Sequence, residues 1–110
     1  KIFTVNRLDN KEGRSFFRDA KLLTPELKKI LREAADKGGG SCWVTFYCDS
    51  DGKVQTVTFT MTSSVYVLLP GKILQELYRE AMKMIMNPEY YTFDGEHDYA
   101  IDTIELMKRV

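Results

Sequence analysis

The clearest pattern in this chain is a regular alternation of apolar and polar residues just before its midpoint. Every second residue from 42 to 48 is apolar: Cys42, Val44, Phe46 and Cys48. This period of two is typical of a β-strand with one buried face. Asp49-Ser50-Asp51-Gly52 then predicts a tight turn, because glycine readily takes the positive φ that short hairpin loops require. The pattern therefore predicts a β-hairpin.

The second strand of this hairpin is predicted from about residue 53 to 61. Val57, Phe59 and Met61 share one face, whereas Val54 has the opposite parity. A β-bulge near Gln55-Thr56 would return Val54 to the apolar face, because a bulge adds one residue to one strand. We therefore expect a bulge directly after the turn.

Two segments show the spacing of amphipathic helices. The first is predicted over 25–37, because Thr24 is a good N-cap, Pro25 suits the first helical position, and glycines follow from Gly38. The second is predicted over 70–86 and ends before Asn87-Pro88, since the residue before proline avoids the helical region. Its apolar face comprises Ile73, Leu74, Leu77, Ala81, Met84 and Ile85.

The order of the predicted elements is helix, strand, strand, helix, strand, with the last strand over about 98–110. This order predicts an α+β fold, a two-layer sandwich in which two helices cover one face of a three-stranded antiparallel sheet. We expect one domain over residues 24–110, preceded by an extension over 1–23 that either loops or forms a short strand. We also expect the last strand to lie at an edge of the sheet.

Composition and charge narrow the function classes. The 110 residues carry sixteen basic and sixteen acidic side chains, so no net charge attracts nucleic acid. No apolar run approaches the roughly 20 residues that span a bilayer, and no motif indicates a metal or cofactor. Cys42 and Cys48 are the only cysteines. Six residues apart on one strand, they lie roughly 20 Å apart and cannot form a disulfide with each other.

The hairpin and the order of elements resemble the C-terminal domain of the TonB family. The matching positions are Gly40, Cys42, Val44, Phe46, Cys48, Asp49, Asp51, Gly52, Val54, Val57 and Phe59, with Thr62-Ser63-Ser64 after them and Leu74, Leu77 and Ala81 in the following helix. The resemblance implies the TonB C-terminal fold. It also implies a secreted protein of the periplasm or cell envelope whose signal peptide has been removed, with the cytoplasm as the alternative.

The leading functional hypothesis is a non-enzymatic module that binds a protein or peptide, or a second copy of itself, by adding a strand to a sheet edge. Trp43 and Tyr47 lie on the polar face of their strand, where they are either exposed anchors or covered by residues 2–17. The candidate partner-binding residues are Trp43, Tyr47, Tyr90, Tyr91, Phe93, Thr103 and Glu105.

Two other hypotheses stay open at the level of the sequence. A small thiol-dependent enzyme would use Cys42 or Cys48 with His97, the only histidine. A small-ligand carrier would hold its ligand between sheet and helix, against the tyrosines and Met82, Met84 and Met86. The first requires a reactive thiol, and the second requires an apolar cavity.

Overall fold

The computed structural model describes the backbone of residues 5–7, 9–10, 22–86, 91–92 and 98–110, and the side chains of 22–86 and 98–110. The strands are β1 (Val5–Arg7), β2 (Asp9–Asn10), β3 (Cys42–Cys48), β4 (Val54–Met61), β5 (Tyr91–Thr92) and β6 (Tyr99–Glu105). The helices are α1 (Pro25–Asp36), α2 (Ser63–Tyr66) and α3 (Gly71–Met82), and a 3-10 helix follows at Leu106–Arg109.

The predicted α+β class is confirmed. Strands β6, β3 and β4 form an antiparallel sheet that packs against the helices. Strand β1 adds to this sheet in parallel to β6, so the order is β1-β6-β3-β4. Strands β2 and β5 pair separately with each other.

The hairpin of β3 and β4 forms as its alternation predicts. Cys42, Val44, Phe46 and Cys48 are fully buried, and Val57 is nearly so. Phe59 is only half-buried at the periphery of this core. The predicted bulge is also confirmed, because Tyr47 pairs with Thr56 and Cys48 pairs with Val54, which leaves Gln55 as the extra residue.

Helix α1 begins and ends within a residue of its predicted bounds. The Thr24 hydroxyl oxygen accepts a hydrogen bond from the Leu27 N–H at 3.2 Å, as an N-cap does. Leu27, Leu31 and Ala34 face the core, because helical positions spaced by three or four residues share one side. Helix α1 thereby covers part of the apolar face of the sheet.

Three expectations are wrong in detail. The second predicted helix ends at Met82 rather than at 86, because Ile85 leaves the helix and forms a β-bridge with Lys53. The last strand ends at Glu105, where the chain turns into the 3-10 helix. That strand also lies inside the sheet, since β1 pairs with its first half.

Candidate functional site: the outer edge of strand β4

Strand β4 is the last strand of its sheet, and no described strand pairs with its far side. We call the side of Val54–Met61 that faces away from β3 the β4 edge. The Thr62 N–H donates to the Ser41 carbonyl oxygen at 3.0 Å, so the backbone groups of Thr62 point toward β3. Because backbone groups alternate in direction along an antiparallel strand, the N–H and C=O groups of Val57, Phe59 and Met61 point outward.

The β4 edge lacks the features that usually protect a sheet edge. Natural edge strands carry charges or proline, which discourage pairing with other chains. Here no charged residue lies between Lys53 and Lys72, and the strand itself has no proline. The bulge at Gln55 sits at the beginning of the strand and leaves the remainder regular. Within the part of the chain that the structure describes, no strand lies beside these outward groups, so an added strand can pair with them.

Strand β6, where the sequence predicted partner binding, has the first half of its outer side paired with another strand. Strand β1 pairs with Tyr99–Ile101. Beyond β1, the Thr103 N–H donates to the Oδ1 atom of Asp102 at 2.8 Å. Thr103 is thus already satisfied by its neighbour, and it offers no free donor to a partner. The prediction that a partner strand pairs with the Thr103 N–H therefore does not hold, because this N–H already bonds to Asp102.

Glu105, another predicted contact residue, has a structural role at the end of β6. Its Oε2 atom accepts hydrogen bonds from the Cys42 N–H at 3.2 Å and from the Met107 N–H at 2.7 Å. These two backbone donors lie where the ladder between β3 and β6 stops and the 3-10 helix begins. The carboxylate supplies the acceptor that the ladder no longer provides.

Exposed apolar side chains lie beside the β4 edge, Tyr78 on the helical side of the sheet and Ile85 next to Lys53. The rings of Phe59 and Tyr78 meet edge to face, with their centroids 6.5 Å apart. Tyr78 is 43 % exposed and Ile85 is 65 % exposed, although both are large apolar side chains. A strand added to β4 would cover part of this surface. Exposed aromatic and aliphatic groups of this kind are typical of binding sites.

The N-terminal limit of the β4 edge is fixed by a backbone contact. The Met86 N–H donates to the Gly52 carbonyl oxygen at 2.7 Å, and Ile85 bridges Lys53 in antiparallel direction. The Asp49 Oδ1 atom accepts the N–H groups of Asp51 and Lys53, at 2.9 and 3.0 Å, which holds the turn. The segment around Ile85 therefore occupies the position next to the first residue of β4.

Of the aromatic residues predicted from the sequence to bind a partner, only Trp43 and Tyr47 have side chains that the structure describes. Trp43 and Tyr47 lie on the face of the sheet opposite the helices, with Trp43 37 % exposed and Tyr47 half-buried. Tyr90 and Phe93 lie outside the described residues, and of Tyr91 only the backbone is described. The absence of charged residues between Lys53 and Lys72 is visible in the sequence and could have indicated the β4 edge, but it was not among the predicted features.

The two thiols are poorly suited to chemistry. Cys42 and Cys48 are buried and form no disulfide. Burial, with a smaller effect from the Glu105 carboxylate, raises the pKa of Cys42 to about 11. Burial, and then the carboxylates of Asp102 and Asp49, raises the pKa of Cys48 to about 12. A nucleophilic cysteine needs a lowered pKa and some exposure, so this arrangement opposes a thiolate.

An open cleft of about 580 Å³ lies between α1 and α3, lined by Leu22, Thr24, Leu27, Ile73, Glu76, Leu77, Glu80 and Lys83. Its four apolar side chains are each less than 10 % exposed. The methionines predicted for a carrier do not line it, and Met86 is fully buried in the core.

Among the described residues, no group of three His, Cys, Asp or Glu side chains is placed to hold a metal ion. The described helices are too short or too polar to cross a membrane. No protein-family model, no curated protein and no solved structure matches this chain. The geometry of the β4 edge is therefore the feature from which a function can be inferred.

Proposed function

We propose that this protein is a non-enzymatic interaction module that binds an extended peptide of a partner protein by strand addition at the β4 edge. The observation that carries the proposal is the outward backbone of Val57, Phe59 and Met61, for which the described residues supply no partner. Strand addition to an exposed sheet edge is a recurring mode of peptide recognition.

The energetics require more than backbone hydrogen bonds. Three outward residues offer three donors and three acceptors, and at about 0.5–1.5 kcal/mol net for each bond the total is about 3–9 kcal/mol. Association costs about 4–15 kcal/mol in lost translational and rotational freedom. Side-chain contacts must therefore supply the remainder. Tyr78 and Ile85 are the exposed apolar groups beside this edge that can do so.

The proposal extends to the family and the compartment. The succession of α1, β3, β4, α3 and β6 within the longer order of elements supports a TonB C-terminal-like module, and that resemblance implies the periplasm or cell envelope. Fractionation of cells that express the full gene tests the compartment. Recovery in the cytoplasmic fraction alone would contradict this part of the proposal and leave strand addition unaffected.

The direct test is an NMR titration of the protein with nonapeptides in which apolar and polar residues alternate. One set of peptides has neutral polar residues and the other has charged ones. We expect amide shifts along Val54–Met61 and on α3, and none of comparable size along β6. The variant Thr58→Lys places a charge on the edge strand and should abolish binding, because edge charges oppose pairing. Its matched control is Thr103→Lys, which adds the same charge to β6, away from β4, and should bind normally.

A second pair of variants tests the backbone itself. Met61→Pro removes an outward N–H and should weaken binding while the protein stays folded. Thr60→Pro removes an N–H that points to Trp43 in the ladder, so it should destabilise the fold. If no peptide shifts the amides of β4, or if Met61→Pro binds as well as the parent protein, strand addition at this edge is excluded.

A further inference from the structure

We infer that the bound strand runs antiparallel to β4, is uncharged, and directs its apolar side chains toward α3. This inference rests on the proposed function and specifies its partner. The space beside β4 already contains one antiparallel residue, because Ile85 bridges Lys53 in that direction. Antiparallel pairing is also slightly more stable per residue than parallel pairing. A partner strand antiparallel to β4 would continue the pairing that Ile85 makes beside Lys53.

The length of the partner segment follows from the two ends of the open edge. Ile85 occupies the position beside Lys53, and helix α2 begins at Ser63, directly after Thr62. The regular part of β4 between these limits, residues 56–61, spans roughly 20 Å at about 3.3 Å per residue. The edge therefore accommodates about six residues of extended peptide.

The two faces of the added strand meet different chemistry. Partner residues opposite Val57 and Phe59 would point to the helical side, where Tyr78 is exposed. Residues opposite Thr58 would share the outer face with the exposed threonines of β4. The strand offers no charged side chain to either face, so a charged partner residue would lose water without gaining an ion pair. The edge thus selects an apolar residue alternating with a threonine-like one.

A second copy of this chain fits the same edge less well than a peptide. Helix α3 packs against β4, as the contact between Tyr78 and Phe59 shows. Two copies paired through β4 would place their strands about 4.8 Å apart. Packed helices need about 8–10 Å between their axes. The two α3 helices would compete for the same space, whereas a peptide brings no helix.

Disulfide exchange tests the direction of the strand. The probe is an acetylated, amidated peptide of six alternating threonines and valines, with a lysine at each end for solubility. The first or the last threonine, which shares the outer face with Thr56 and Thr60, is replaced by a cysteine activated as a mixed disulfide with thiopyridine. The thiolate of Thr60→Cys or Thr56→Cys attacks the peptide sulfur and releases thiopyridone, whose absorbance gives the rate. Buried Cys42 and Cys48 give the background rate in the parent protein.

An antiparallel strand places its N-terminal end beside Thr60 and its C-terminal end beside Thr56. We therefore expect the N-terminal probe to react at least tenfold faster with Thr60→Cys than with Thr56→Cys, and the C-terminal probe to show the opposite preference. The reverse pattern would establish a parallel strand, and equal rates would exclude a defined register. Either result overturns the inference, while shifts along β4 in the titration would still support strand addition.

The chemistry of the partner is tested with the unactivated probe. Replacing one helix-facing valine by glutamate or lysine should weaken binding at least tenfold, whereas replacement by isoleucine should not weaken it. Equal binding of the charged peptides would contradict the predicted selectivity. Without any peptide, Thr58→Cys should remain monomeric in a glutathione redox buffer. A rapidly formed disulfide-linked dimer would identify a second copy as the occupant and overturn the peptide assignment.

Discussion

The strongest test of the fold next to the site is Gly52→Ala. Gly52 has a φ of 82°, and a Cβ atom added there would overlap the Met86 carbonyl oxygen. An alanine in this left-handed region costs about 1–2 kcal/mol from backbone sterics alone. Moving Met86 away would also break its N–H bond to the Gly52 carbonyl oxygen, at about 1 kcal/mol, and disturb the fully buried Met86 side chain.

The expected loss in the free energy of unfolding is therefore about 3–5 kcal/mol, a large part of the 5–15 kcal/mol typical of a small domain. Urea unfolding followed by tryptophan fluorescence measures it. Gly39→Ala is the matched control, because Gly39 has a φ of 92° but nothing within 4 Å of an added Cβ. That variant should lose only the steric term of about 1–2 kcal/mol.

A third variant isolates the effect of alanine itself. Gly71 begins α3 without a left-handed φ, and an added Cβ meets nothing within 4 Å. Gly71→Ala should therefore be neutral or stabilising by up to about 1 kcal/mol. If Gly52→Ala loses no more stability than Gly39→Ala, the contact between Gly52 and Met86 does not hold this turn, and the N-terminal limit assigned to the β4 edge is wrong.

Three further predictions concern the core and the caps. Phe46→Ala should cost about 3–5 kcal/mol and Phe59→Ala about 1–2 kcal/mol in urea unfolding, because only Phe46 is fully buried; equal losses would contradict this burial. The folded protein keeps the Cys48 thiol neutral, with a pKa of about 12 against 9.0 when unfolded, so the free energy of unfolding should fall as the pH rises from about 9 toward 12. Cys48→Val should show a shallower slope over this interval, and an identical slope would exclude this cause. Glu105→Ala should lower the free energy of unfolding by about 2 kcal/mol, because it leaves two backbone N–H groups without an acceptor. Glu33→Ala removes only the exposed ion pair with Lys37 and should cost about 0.5 kcal/mol or less. Comparable losses would refute the capping role of Glu105.

The hairpin could be predicted from the sequence because its signals are local. The alternation from Cys42 to Cys48 reports one buried face, and the parity of Val54 alone indicates the bulge that the structure shows at Gln55. The beginning of α1 is equally local, since Thr24 and Pro25 suffice to fix it. Such features depend on a few neighbouring residues, and tertiary structure did not override them.

The identity of the free edge could not be predicted in the same way. It depends on the pairing of Val5–Arg7 with Tyr99–Ile101, which joins the two ends of the chain and has no local signal. The role of Asp102 was equally hidden. A charged residue near a strand end is compatible with a partner contact or with a cap, and only the 2.8 Å bond from the Thr103 N–H distinguishes them.

The distribution of charge over the two sides of the sheet supports the same assignment as the strand order. On the β6 side, Asp102 and Glu105 use their carboxylates to satisfy backbone N–H groups that the ladder leaves over. On the β4 side, the strand carries only neutral residues, and none of the described side chains caps its outward donors and acceptors. Leaving the β4 edge without charge is a cost in aggregation risk, because an uncharged edge strand pairs readily with other chains. A partner strand that covers Val57 and Phe59 would remove that risk, which gives the open edge a physical reason to bind.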